Sequence, residues 1–260
     1  MLLFMQLKMP NIIIKIKEYY GINKSSIVIT CATGFFLLSS LFMMNTMANI
    51  SSFWSIDAEK IGLPDTLHEI VSLNMENRTS IKNTVDIIMY ALIGLTTFAV
   101  ITRRDAINIA IRIFFVISIS YLLRICVVSQ TNLPPPSINC RKIVTNFLTE
   151  FGQDRCGDLI FSGHTIPLTV CSYTWLTYSF FEDFIGKIMK HILSICIALV
   201  GFITVFLIII CRNHYTIDVI LAIYTTTSVW IIYGYIWDKY LIKEKFFKEI
   251  YHKQISEQNI

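Results

Sequence analysis

The fold class predicted from the sequence is all-α: a polytopic membrane protein with six transmembrane helices. Three observations predict it. Of the 260 residues, 54% are hydrophobic and only 15% are charged, well below the charge usage of globular domains. The apolar residues collect into six windows, each near the ~20 residues that cross a bilayer as a helix. The lysines and arginines between those windows are shared unequally between alternate connections, as topology requires of a membrane protein. Together these exclude a soluble domain.

The windows are 27–47, 85–102, 107–128, 159–181, 188–211 and 214–237. The first follows a lysine-bearing lead, exceeds a signal-peptide core in length and has no clear small-residue cleavage site, so it reads as a retained helix. The second and third are joined by the short basic turn at Arg103 and Arg104. The third carries Arg112 and Arg124, the fourth carries His164, and the sixth opens on His214 and Asp218. No repeat, low-complexity tract or glycine/serine linker divides the chain. One helical domain over 27–237 is expected, with 1–26 and 238–260 as polar tails.

With six spans, both tails share a side. That side holds thirteen lysines and arginines, from Lys8 to Lys253, against seven on the other, from Lys60 to Arg212. Both tails are therefore expected in the cytosol. The net charge of +4 reflects this bias and gives no reason to invoke nucleic acid. The seven cysteines include no CxxC and no zinc-type Cys/His pairing, so no metal site is expected. Cys140 and Cys156 share the second long loop on the oxidising side, where they could pair or stay free.

This topology brings three chain-distant groups to one depth. His164 lies about a turn inside the outer start of span four, His214 stands at the outer start of span six, and Arg124 lies about a turn before the outer end of span three. His214 and Asp218 are four apart, a spacing that stacks them on one helix face. A carboxylate on one imidazole nitrogen fixes the tautomer and raises the basicity of the other. His164 supplies a second acid–base group. Helix N-termini favour an anion, and the Arg124 fork suits phosphate.

The plainer readings are structural. A lone histidine at a membrane boundary commonly just hydrogen-bonds a neighbour, and His68, His191 and His252 are read so. Arg112 is read as snorkelling from the inner end of span three. His164, His214 and Asp218 stand apart because they reach one depth independently, and ionisable residues in spans are functional candidates by default. A transporter using the same cluster as a proton relay is the non-enzyme reading. It calls for charges through the midplane or broken helices in matching halves, and neither is seen.

CGDLIFSGHT at 156–165 with HYTIDVILAIYTTT at 214–227 resembles the paired signature of the sphingomyelin synthases and related sphingolipid synthases. GLPD at 62–65 and the run from Arg124 through TNLPPP at 131–136 agree. The resemblance covers about 62–227. It implies a catalytic triad of His164, His214 and Asp218 on the lumenal or exterior face, with Arg124 and Asp158 at the substrate. Asp158 either caps span four, the favoured reading, or meets a choline ammonium.

It implies phosphatidylcholine and ceramide as lipid substrates, a phosphohistidine on His214, no cofactor, and residence in the Golgi or plasma membrane, with a homo-oligomer compatible. The core motifs do not separate choline from ethanolamine or inositol phosphate. The related lipid phosphate phosphatases place an arginine where this chain has Ile208 and carry a lysine-to-arginine-proline block that it lacks. Phosphatase is therefore the second enzymatic reading.

Overall fold

The computed structural model describes the chain apart from residues 1–14, 16–18, 21–23, 56–61, 72–74, 137–139, 141, 151–154, 179 and 259–260. Lys8, Lys17, Lys60 and Arg141, which enter the orientation argument, lie outside the described residues. The described chain forms seven helices: α1 (Lys24–Phe53), α2 (Thr66–Ile70), α3 (Met75–Ile101), α4 (Ala106–Val128), α5 (Thr165–Thr177), α6 (Glu182–Ile210) and α7 (Thr216–Gln258).

Five are long and apolar enough to cross a membrane: α1, α3 from Arg78, α4, α6 from Gly186, and α7 as far as Trp237. The chain is an all-α, multi-pass membrane protein. The expected fourth span differs. Its helical part, α5, has 13 residues, about 20 Å of rise, against the ~30 Å of a hydrocarbon core. The other described residues of window 159–181 are turn, bend or irregular chain, with Phe161 and Phe181 in left-handed conformations at φ 71° and 58°. Beyond the apolar stretch that ends at Trp237, the backbone of α7 stays helical to Gln258.

In apolar surroundings each hydroxyl needs an internal acceptor. The helices provide it by back-bonding to the preceding turn: Ser118 Oγ donates to the Phe114 carbonyl at 2.7 Å, Thr174 Oγ1 to Val170 at 2.7 Å and Thr204 Oγ1 to Val200 at 2.7 Å.

Helix α5 is the centre of the bundle. It packs against α3, α4, α6 and α7, while α1 packs on α4 at the edge. Trp175 is buried in the main core with Phe180, Leu168, Ile109 and Val85, and its Nε1 donates to Thr96 Oγ1 at 3.0 Å, so the indole is satisfied where water is absent.

Arg112 does not snorkel. Its guanidinium carbon lies 4.0 Å from the Trp230 ring centroid and 5.7 Å from that of Tyr233. Its Nη2 donates to the Trp230 carbonyl at 3.0 Å and its Nη1 to Tyr178 Oη at 3.3 Å. Aromatic faces and two acceptors hold the cation inside the bundle.

Candidate active site

The first histidine turn is built from residues that tolerate close approach. Cys156 is bonded to Cys140, with Cα atoms 4.9 Å apart, which decides the question left open by the sequence. Gly157 is left-handed at φ 83°, and a Cβ there would come within 2.6 Å of the Ser51 carbonyl. A Cβ on Gly163 would come within 2.7 Å of Arg124 Nη1, so glycine alone lets that guanidinium lie against the turn. Phe161, left-handed three residues before His164, swings the chain into α5, where His164 is the N-cap residue.

The second turn is held by both outer loops. Asp65 accepts from Leu67 N at 3.1 Å, Thr216 N at 2.7 Å and Thr216 Oγ1 at 2.8 Å, capping α2 and gripping the first residue of α7. Burial raises the Asp65 pKa, but the Thr216 bonds and the His68 charge outweigh it, and the carboxyl lies below its usual range. Tyr215 Oη donates to the Pro134 carbonyl at 2.8 Å and accepts from Leu63 N at 3.0 Å. GLPD and the proline run thus brace the turn that carries His214.

His68 sits in α2 instead of a loop, and it is buried. Its Nε2 donates to the His214 carbonyl at 3.2 Å, and Arg212 Nη2 donates to its own carbonyl at 2.6 Å. Burial pushes the His68 pKa down, and the Asp65 charge offsets this only in part.

The ring of His214 differs from the sequence expectation in one respect. Its Nδ1 donates to the Leu159 carbonyl at 2.9 Å, while Asp218 Oδ2 lies farther away, at 3.7 Å. That oxygen instead accepts from Tyr215 N at 2.9 Å, the reciprocal contact of a residue three places into a helix with its N-cap. Asp218 does share a face with His214, but it caps the helix and acts on the ring by charge across 3.7 Å. The two turns are also tied directly, since Ser162 N donates to the Asp218 carbonyl at 3.2 Å.

The rings of His164 and His214 lie 6.3 Å apart between centroids, close enough to act on opposite sides of one phosphorus. Arg124 is buried; its Nη2 meets Asp158 Oδ1 at 2.7 Å and its Nε donates to the Phe161 carbonyl. Asp158 is therefore not the cap of α5, which begins seven residues later. It is the counter-charge of Arg124, because a buried cation needs one.

These groups open on a cavity of about 520 Å³, within the size range of small-ligand sites. One wall is polar, formed by Arg124, Asp158, His164 and His214. The other is apolar, formed by Leu37 and Leu41 of α1, Met89 and Ile93 of α3 and Ile117 of α4, with Tyr90 and Tyr121 at the border. A molecule with a phosphate head and hydrocarbon tails matches that division. Among the described residues no group of three or more His, Cys, Asp or Glu side chains could hold a metal ion.

The structure brings together all five sequence-level candidates and adds Asp86. Asp86 of α3 places its Oδ1 3.4 Å from His164 Nε2. The signal that could have revealed it is a lone carboxylate in the first turn of an otherwise apolar window, at the depth of the histidines.

Residues 155–235 match the family described as PAP2 superfamily C-terminal. The chain is 28% identical over 172 residues to rat phosphatidylcholine:ceramide cholinephosphotransferase 1, covering 59% of this chain and 39% of that protein. It is 29% identical over 152 residues to the human protein of the same name, covering 51% and 35%. It is 31% identical over 144 residues to phosphatidylinositol:ceramide inositolphosphotransferase of Trypanosoma cruzi, covering 51% and 41%. The matched stretch thus spans about two fifths of each relative's length. The chain is similar to the sphingolipid synthases, and the family match at 155–235 runs through both histidine turns.

Proposed function

We propose that this chain is a sphingolipid synthase that moves a phosphocholine head group from phosphatidylcholine to ceramide, giving sphingomyelin and diacylglycerol. The observation that carries the reading is the tautomer of His214. With Nδ1–H committed to the Leu159 carbonyl, Nε2 keeps its lone pair for attack, 6.3 Å (ring to ring) from a second histidine that can move a proton.

In the first half-reaction His214 Nε2 bonds to phosphorus as the bond from phosphorus to the glyceryl oxygen breaks. The departing oxygen takes a proton from His164. Arg124 offsets charge on the phosphoryl oxygens. In the second half the ceramide hydroxyl gives its proton to His164 and attacks the phosphohistidine. The apolar wall keeps the tails in hydrocarbon and limits water, the competing acceptor. Phosphatase activity is that same competition lost.

A second head group has its own support, because one similar protein is named for inositol phosphate transfer. We place the cavity on the lumenal or exoplasmic face of the Golgi or plasma membrane, with both tails cytosolic and the catalytic domain over 27–237. The test is to express the chain in cells lacking sphingomyelin, supply labelled ceramide with phosphatidylcholine, phosphatidylethanolamine or phosphatidylinositol in turn, and identify the product. Labelled sphingomyelin is expected with phosphatidylcholine. No labelled product from any donor refutes the synthase reading.

A further inference from the structure

The two histidines have unlike partners, and the difference assigns a residue. His214 is held by a neutral backbone carbonyl, with its charged neighbour at 3.7 Å. His164 has a carboxylate at 3.4 Å, supplied by another helix. Asp86 Oδ1 is buried and makes no hydrogen bond, so among the described groups its interaction is with that imidazole. The separation is at the long end of hydrogen-bond reach, and such contacts commonly tighten when substrate arrives. The other charged groups lining the cavity are already committed. Arg124 and Asp158 hold each other, and Arg155 Nη2 donates to Asn45 Oδ1 at 2.6 Å.

We infer that Asp86 is a positioning residue for the proton-transfer half of the chemistry. It acts through His164 and does not touch the substrate. This rests on the transferase reading above. Its carboxylate accepts the Nε2–H of His164, turns the ring so that the other nitrogen faces the leaving oxygen, and balances the positive charge His164 carries before the first half-reaction and again after the second. As the glyceryl oxygen–phosphorus bond breaks, the electron pair stays on oxygen and the proton on the second His164 nitrogen moves to it. The hydroxyl of the acceptor later returns that proton to the same nitrogen. No such task falls to His214, whose Nε2 has only to act as a nucleophile. That accounts for a carbonyl on one ring and a carboxylate beside the other.

The test separates chemistry from folding by varying the leaving group. From phosphatidylcholine the diacylglycerol leaves as an alkoxide, which needs a proton. From p-nitrophenyl phosphocholine the leaving group is the stabilised p-nitrophenolate, which does not. Single-turnover release of diacylglycerol or p-nitrophenolate, which reports the first half-reaction alone, is measured with each donor, in detergent micelles, for wild type, Asp86→Asn, Asp86→Glu, His164→Ala and His214→Ala.

Asp86→Asn should slow the lipid donor about 30-fold, a part of the 10²–10⁴ typical of a positioned acid, and slow the aryl donor several-fold less. Asp86→Glu should recover most of the loss, and His164→Ala should show the same donor bias more strongly. His214→Ala should be inactive with both donors. Equal losses on both donors for Asp86→Asn, or no recovery in Asp86→Glu, overturn the assignment while leaving the transferase reading intact. A wild-type protein inert with both donors overturns both.

Discussion

Each end of the bundle holds an arginine, Arg124 buried and Arg112 half-buried, and the two are satisfied in opposite ways. At one end Arg124 is paired with Asp158, backed by the Phe161 carbonyl and open on one side to the cavity. At the other, Arg112 lies on Trp230 and between two tyrosines, with a backbone carbonyl and a phenol as acceptors. A buried guanidinium is costly unless compensated. Around Arg112, aromatic faces, a carbonyl and a phenol take the two outer nitrogens, while Nε stays without a hydrogen-bond partner. A carboxylate on one edge leaves the other edge for phosphate. An intramembrane arginine therefore marks a site only where its partners leave it a free face.

Five substitutions and one titration would break or sharpen that contrast. The largest effect is expected from His214→Ala, which should abolish transfer, a loss on the order of 10⁴ or more as for other nucleophile deletions, with the protein still inserted and monodisperse in detergent. A well-expressed His214→Ala protein that still makes sphingolipid would end the covalent mechanism. Arg124→Gln comes next. It removes the charge at the cavity but keeps a donor, and should cost about 10²–10³ in kcat, as for loss of one oxyanion donor. An unchanged kcat would put Arg124 in the same structural class as Arg112.

Asp218→Asn should cost about 10², less than the ~10⁴ seen where a carboxylate alone orients the imidazole. The Leu159 carbonyl already fixes the tautomer, and asparagine can still accept from Tyr215 N. A full ~10⁴ loss would show that the 3.7 Å contact closes during turnover.

His68 links the site end to pH. Because its pKa is lowered in the folded protein, the unfolded chain takes up the proton first, at about pH 6.5. Stability should be complete above that pH and fall as pH drops from there to the lowered folded value. Asp65, also lowered, adds a second loss at more acidic pH, below about 3.9. Thermal unfolding in detergent between pH 5 and 8 should show the first step, and His68→Gln should flatten it. The smallest effect on chemistry is expected from Arg112→Met. It should lower the thermal midpoint through loss of a cation–π contact of about 1–2 kcal/mol and leave kcat within about twofold, since surface and core changes away from a site act on folding. A large fall in kcat at unchanged stability would break the comparison.

The sequence by itself determined the helical class and the apolar windows, and it pointed to the reactive groups that the structure brings together. These depend on local composition and on where charge interrupts it, both of which are written along the chain. His164, His214, Asp218, Arg124 and Asp158 were legible for that reason. Partner choice was not legible. Only the tertiary structure decided that Asp158 neutralises Arg124 instead of capping a helix, that Leu159 instead of Asp218 bonds His214, and that Arg112 sits in an aromatic box. Each such choice sets two segments far apart in sequence within 4 Å of each other, and a periodic pattern carries no record of distance. Helix α5 shows the same limit. Its window is apolar enough to span, yet the turn that delivers His164 into the bundle and the left-handed residues at both of its ends cut it to 13 residues. An apolar window specifies where chain can be buried; packing against four neighbours decides how much of it is helix.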